Sequence, residues 1–244
     1  MSAPSGVRGV GAGSRTGASP SPSPTPAAST TTYAASTSAL TLSLAPDSPS
    51  AAEWAALVVD AAEVTTTVLE RAADADWSRR PEGSDWTARA TLDHLALGVL
   101  GYAGLLTARP TDRYITLFGS LDPAAPISHC LEGLRIAAEL LAATVRTAPP
   151  EARAWHPWGH SDSPGFAAMG IVELLVHGWD LAGAFQLDRP APDRLAGPAV
   201  ARLFPEAPPG HGGPDTLLWC TGRTALPDLP RRPAGEWRWD GRVR

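Results

Sequence analysis

This chain of 244 residues contains no lysine and no asparagine, and its twenty basic residues are all arginine. Without lysine there is no Schiff-base chemistry and no Walker-type phosphate loop. Without asparagine there is no acceptor for N-glycosylation. Cysteine is scarce: Cys130 and Cys220 make no disulfide framework and read as free thiols in a reducing compartment. Positive charge is not in excess, the net charge being −5, which argues against the basic surface a nucleic-acid partner requires. No uninterrupted apolar window reaches the length of a membrane span. The N-terminus also lacks the apolar segment behind a basic start that marks a secretory signal. A cytoplasmic protein without nucleic-acid or membrane partners is expected.

Bulky apolar groups are missing from residues 1–50, where Ser, Thr, Pro, Ala and Gly dominate and only Arg8, Arg15 and Asp47 are charged. Such a segment has too little apolar surface to offset its ordering entropy, so a disordered leader is expected. From Pro49 the pattern becomes helical. Ser50 and Glu53 have capping-box spacing, and Trp54, Val58, Ala61, Ala62 and Leu69 follow at helical intervals, predicting a first helix over 51–74. Asp85 is the expected N-cap of a second helix over 86–108, ended by Pro110. A third is expected over 127–147, before Pro149 and Pro150. Ser163 should cap a fourth, with Pro164 as its first residue, running to Gln186.

Four helices of this length suit an all-α four-helix bundle over residues 51–205, which includes a shorter helix from Pro192 to Leu203. The longer connections, 109–126 and 148–163, leave its topology open. Residues 206–244 form a Pro-, Gly- and Trp-rich C-terminal extension, with a helical turn or two over Asp215–Arg223 and a short strand or flap over 236–241.

What is present concentrates on the fourth helix. Glu173 and His177 are four residues apart, so they share a face, and Asp180 continues the same polar stripe. Their neighbours Met169, Ile171, Val172, Leu174, Leu175 and Val176 make the helix apolar nearly all round, hence buried. A buried carboxylate needs a cation, hydrogen bonds or a proton. His94, in an equally apolar stretch of the second helix, supplies a second imidazole. Two imidazoles and a carboxylate suit a first-row divalent ion such as zinc, nickel, iron(II) or manganese. Asp180 would then orient an imidazole or a water. An internal ion pair of protonated His177 with Glu173 or Asp180 explains the same residues without a metal. The spacing is Glu-x-x-x-His, not the His-Glu-x-x-His of zinc proteases, since residue 172 is valine.

Trp86-Thr87 followed by Leu92-Asp93-His94-Leu95, and Glu173-Leu-Leu-Val-His177-Gly-Trp-Asp180-Leu-Ala, resemble the metal-binding domain of mycothiol-dependent maleylpyruvate isomerases, within the DinB-like superfamily of four-helix bundles. The resemblance covers roughly residues 50–205. It implies that His94, Glu173 and His177 ligate a divalent metal, usually taken as zinc, and that mycothiol is a cofactor. The segments Leu217–Arg223 and Trp237–Trp239 also resemble the ending of uncharacterised relatives. Those isomerases carry a sizeable C-terminal α/β domain, whereas about forty residues follow the bundle here. The resemblance therefore reaches the metal site and not the particular isomerisation.

The function expected is thus a thiol-dependent isomerase or transferase, in which the metal holds a small-molecule thiol as thiolate for addition to an electrophilic substrate. Arg89, Arg113 and Arg153 are candidates to clamp substrate carboxylates. The alternatives are a non-catalytic metal-binding sensor, carrier or interaction module, and a metal-free bundle. A homodimer is compatible with either. Of the remaining histidines, His129 beside Cys130 could line a cavity. His156 and His160 sit in an aromatic loop that could form a lid, though solvated loop histidines are commoner, and His211 should be exposed. Trp54 should belong to the core and Trp86 should pack near His94.

Overall fold

The computed structural model describes residues 48–116, 119–189, 191–233 and 235–244; the leader expected over residues 1–50 lies outside them except for its last three residues. Among the described residues there are six helices: α1 (Ala51–Glu70), α2 (Ala88–Ala108), α3 (Ile127–Thr147), α4 (Ser163–Ala184), α5 (Asp193–Leu203) and α6 (Gly213–Cys220). Strand pairing is confined, among these residues, to two isolated bridges, Ala154 with Ser161 and Leu226 with Leu229. The chain is all-α.

Each long helix starts where a side chain can satisfy its free N–H groups or where a proline fixes the entry. Ser50 and Glu53 form the complete capping box of α1. The α2 cap is Thr87, whose hydroxyl accepts from Ala90 N, and not Asp85. Asp162 rather than Ser163 caps α4, accepting from Gly165 N at 2.9 Å. In both cases the oxygen that reaches the open N–H groups decides, and a neighbour with the right chemistry loses. α1 stops at Glu70, short of the expected 74, and passes into turns. α6 begins at Gly213, two residues before the expected Asp215.

α1 packs against α3 and α4, and α2 packs against the same two, while α1 and α2 do not approach each other. The cyclic order is therefore α1, α3, α2, α4, with consecutive helices α1 and α2 on opposite corners. This settles the topology: it is not a simple up-and-down succession of neighbours. The core between them includes Trp54, Leu92, Leu95, Leu134, Leu141, Phe166 and Met169, all nearly inaccessible. α4 comes close to α1 at Gly178, where a Cβ would stand 2.8 Å from a Thr65 methyl. Thr65 uses that approach to donate its hydroxyl to Leu174 O at 3.1 Å.

On length and mean hydropathy alone, Ala88–Ala108 and Ser163–Ala184 are long and apolar enough to cross a membrane. Neither run is uninterrupted, since Arg89, Asp93 and His94, or Glu173, His177 and Asp180, lie within them. Much of each apolar window, 56% and 78%, is buried against the rest of the bundle.

α5 packs on α4, and α6 on α5. Of the two forms expected over 236–241, a short strand or a flap, the strand does not form. Its amides go instead to separate places, Asp240 N to Leu203 O at 2.8 Å and Gly241 N to Trp158 O at 2.9 Å. The segment is a flap, docked through Trp239, which is 4% exposed.

Candidate metal centre

α2 and α4 are neighbours, and their polar positions meet. His94 Nε2 lies 3.9 Å from Glu173 Oε2, and His177 Nε2 lies 3.2 Å from the same oxygen. One donor atom from each of His94, Glu173 and His177 fits within a mutual span of 4.8 Å. The two imidazole rings stand 5.2 Å apart and nearly perpendicular, at 89°. Two ligands at zinc-like bond lengths on a tetrahedron are about 3.3 Å apart. The pair on α4 already matches this separation, while His94 Nε2, at 3.9 Å from the same oxygen, stands somewhat farther off. The side chains of Glu173 and His177 retain 13% and 19% exposure and that of His94 33%, so the group opens to solvent on the α2 side.

The surroundings hold the carboxylate charged. Burial opposes ionisation of Glu173, but the hydrogen bond and charge of His177, then His94 and a hydrogen bond from Tyr102, outweigh it and keep its pKa below the ordinary value. The Tyr102 hydroxyl donates to Glu173 Oε1 at 3.0 Å, leaving Oε2 for the imidazoles. Burial and the Glu173 charge push Tyr102 well up, and push Tyr114 up to about 12. Both phenols therefore stay protonated. Tyr114 is admitted by Gly101, where a Cβ would stand 2.7 Å from the phenolic oxygen.

The two histidines differ. Burial lowers the pKa of His94 despite the nearby Glu173. His177 is buried too, yet Asp180 and Glu173, one at each ring nitrogen, raise it to about 9. Its Nδ1 is 3.4 Å from Asp180 Oδ2, close enough for ionic attraction but without the alignment of a hydrogen bond, and it has no other partner. A proton on His177 and a metal at its Nε2 are thus alternative occupants of one position.

Asp180 lies where the stripe places it, and Trp86 packs near His94, the rings tilted by 57° with centroids 4.8 Å apart. Trp54 is in the core. The three arginines considered as substrate clamps are committed elsewhere. Arg89 donates to Asp122 O and Ala125 O, Arg113 pairs with its neighbour Asp112, and Arg153 donates to Pro150 O and Ala152 O. Cys130 is buried with its thiol toward Ala125 O, His129 is exposed, and His160 is exposed. His211 is half-buried rather than exposed. His156 is not a solvated loop residue: it is 8% exposed, its Nδ1 accepts from Trp158 N at 3.2 Å, and it packs near Tyr102. Tyr102, Tyr114 and Arg223 were not legible as site residues. Tyr102 is eight residues after His94, close to the same helical face, and that spacing was the available signal. A cleft of about 550 Å³ lies along the C-terminal extension, lined by Trp158, Trp219, Trp239, Arg232 and Arg238 among others. None of the three donors lines it.

The family described as "Mycothiol maleylpyruvate isomerase N-terminal domain" matches residues 58–182, half of the chain and the part containing His94, Glu173 and His177. No curated protein and no solved structure matches the chain.

Proposed function

The chain belongs to the mycothiol maleylpyruvate isomerase N-terminal domain family, and from that premise we propose that His94, Glu173 and His177 bind one divalent cation, zinc before nickel, iron or manganese. The observation that carries the reading is the meeting of two imidazoles and a charged carboxylate, from two facing helices, within ligand distance of one another. Two features support the fit. The carboxylate oxygen not bonded by Tyr102 is the one facing both imidazoles, and the buried Nδ1 of His177 faces a carboxylate, the usual partner of a metal-ligating histidine.

The family name makes a low-molecular-weight thiol of the mycothiol type the expected co-substrate, with isomerisation or transfer on an electrophilic carbon as the reaction class. A bound cation would supply Lewis acidity that lowers the pKa of such a thiol. The chain's own residues do the rest. Three protein ligands leave a coordination position free, and the exposed edge of His94 marks the side from which a small molecule enters. Tyr102, kept protonated, sets a hydroxyl rather than a charge against Glu173 Oε1. Trp86, half exposed, gives the entrance an apolar wall.

A second reading is a metal-binding sensor or carrier without catalysis. It is favoured by the cleft along the extension, which excludes the three donors. Elemental analysis of untagged protein tests the metal: near-stoichiometric zinc in the wild type and background levels in Glu173→Ala are expected, and a metal-free wild type would overturn the proposal. Calorimetry of the zinc-loaded protein with mycothiol then separates the readings. Binding favours the enzyme, and a loaded protein that ignores mycothiol, bacillithiol and glutathione favours the sensor or carrier.

A further inference from the structure

Asp180 sits one turn beyond His177, with its side chain 13% exposed. A carboxylate so enclosed needs a fixed counter-charge. It receives one from the C-terminal extension. Arg223, just past α6, places Nη2 2.8 Å from Asp180 Oδ2 and Nε 3.3 Å from Oδ1, a two-point grip. The arginine is itself held. It is 17% exposed, Nη1 donates to Thr221 O at 2.8 Å, and its guanidinium lies 5.4 Å from the centre of the Trp237 ring. The Asp180 oxygen nearest Arg223 is also the one facing His177 Nδ1 at 3.4 Å.

We infer that Arg223 is a positioning residue of the metal centre: by fixing Asp180, it sets the ring orientation and tautomer of His177. This rests on the metal reading above. An imidazole that gives its Nε2 lone pair to a cation carries its proton on Nδ1, and that proton needs an acceptor. Asp180 Oδ2 is the acceptor this Nδ1 faces, at 3.4 Å. Arg223 keeps that oxygen in place. The extension thereby belongs to the centre although it supplies no ligand, and removing one guanidinium on it should be felt at Nε2.

The test is zinc affinity of the full chain, measured by competition with a chromophoric chelator, with the visible spectrum of the cobalt(II) form as a second readout. Arg223→Gln should bind zinc about tenfold more weakly or worse, with an altered cobalt spectrum and an unchanged helical circular dichroism. Arg223→Lys keeps the charge but not the two-point geometry, and should fall between. The control is Arg232→Gln, which removes a different anchor of the same extension, the contacts of Arg232 with Cys220 O and the Trp219 ring; it should match the wild type. Wild-type affinity in Arg223→Gln would overturn the inference. So would an equal loss in Arg232→Gln, which would mean that the extension matters only as packing. If Arg223→Gln fails to fold, Asp180→Asn carries the same expectation. A wild type that takes up no zinc would bring down the metal reading itself, whereas tight binding unaffected by either change would remove only this inference.

Discussion

Two largely enclosed histidines, His177 and His156, face opposite fates. The ring of His177 lies between two carboxylates, which overcome burial and raise its pKa to about 9. His156 lies among Trp158, Phe166 and Trp239, and burial pushes it down to about 4, with only a weak opposing pull from Glu173. Burial is common to both, so partners decide the charge. The same contrast separates two regions. Around α4 the bundle encloses ionised groups that neutralise each other, while the junction with the extension encloses neutral rings that pack. The first arrangement is suited to exchanging a proton for a metal. The second is suited to holding a flap still.

The largest expected effect breaks the first region and spares the second: Glu173→Ala should abolish stoichiometric zinc by elemental analysis while leaving the docked flap intact. Trp239→Ala does the reverse. Truncating this buried indole should cost about 3–5 kcal/mol in urea unfolding, with zinc content retained; loss of zinc in that variant would show that the regions are not separable. Tyr102→Phe touches the seam between them. It should cost about 1.5 kcal/mol, the scale of a hydrogen bond to a charged group, again read from urea unfolding of the metal-free protein.

The smallest effect is a pH drift of that same metal-free protein, with opposite signs for the two rings. His177 is raised above the 6.5 of a free imidazole, so its stabilising contribution is complete below that value and is lost as pH climbs through about 9. His156 is depressed, so its contribution is complete above 6.5 and is lost as pH falls through about 4. Urea midpoints of chelator-treated protein across both ranges check the signs. Substituting His156 by Gln should flatten only the acid limb.

Much of the bundle was legible because local chemistry marks it. Pro126 and the Pro149–Pro150 pair bracket α3, which occupies the expected 127–147. Ser50 and Glu53 announce α1 within four residues of each other. The Glu173–His177 pair follows from helical geometry alone. Its meeting with His94 required α2 to lie beside α4, a tertiary fact to which the family resemblance pointed and helical spacing did not. What could not be read depends on contacts across long stretches of chain. Tyr102 reaches Glu173 across 71 residues, and Arg223 reaches Asp180 across 43. Nothing local distinguishes Arg223 from the other arginines, or His156 from a solvated loop histidine, until the extension folds over them. The shifted caps at Thr87 and Asp162 are smaller, local failures, where a residue one or two positions away from the expected cap had suitable chemistry and backbone direction chose between them.

The half-exposed Trp86 beside His94 gives the centre a built-in optical reporter. An indole with its ring centroid 4.8 Å from that imidazole lies well inside the range at which a paramagnetic ion quenches emission. Copper or cobalt arriving at the three donors should dim this fluorophore strongly, and the difference between wild type and Trp86→Phe isolates its signal from the other eight tryptophans. Occupancy can then be followed in real time without a label or a known substrate.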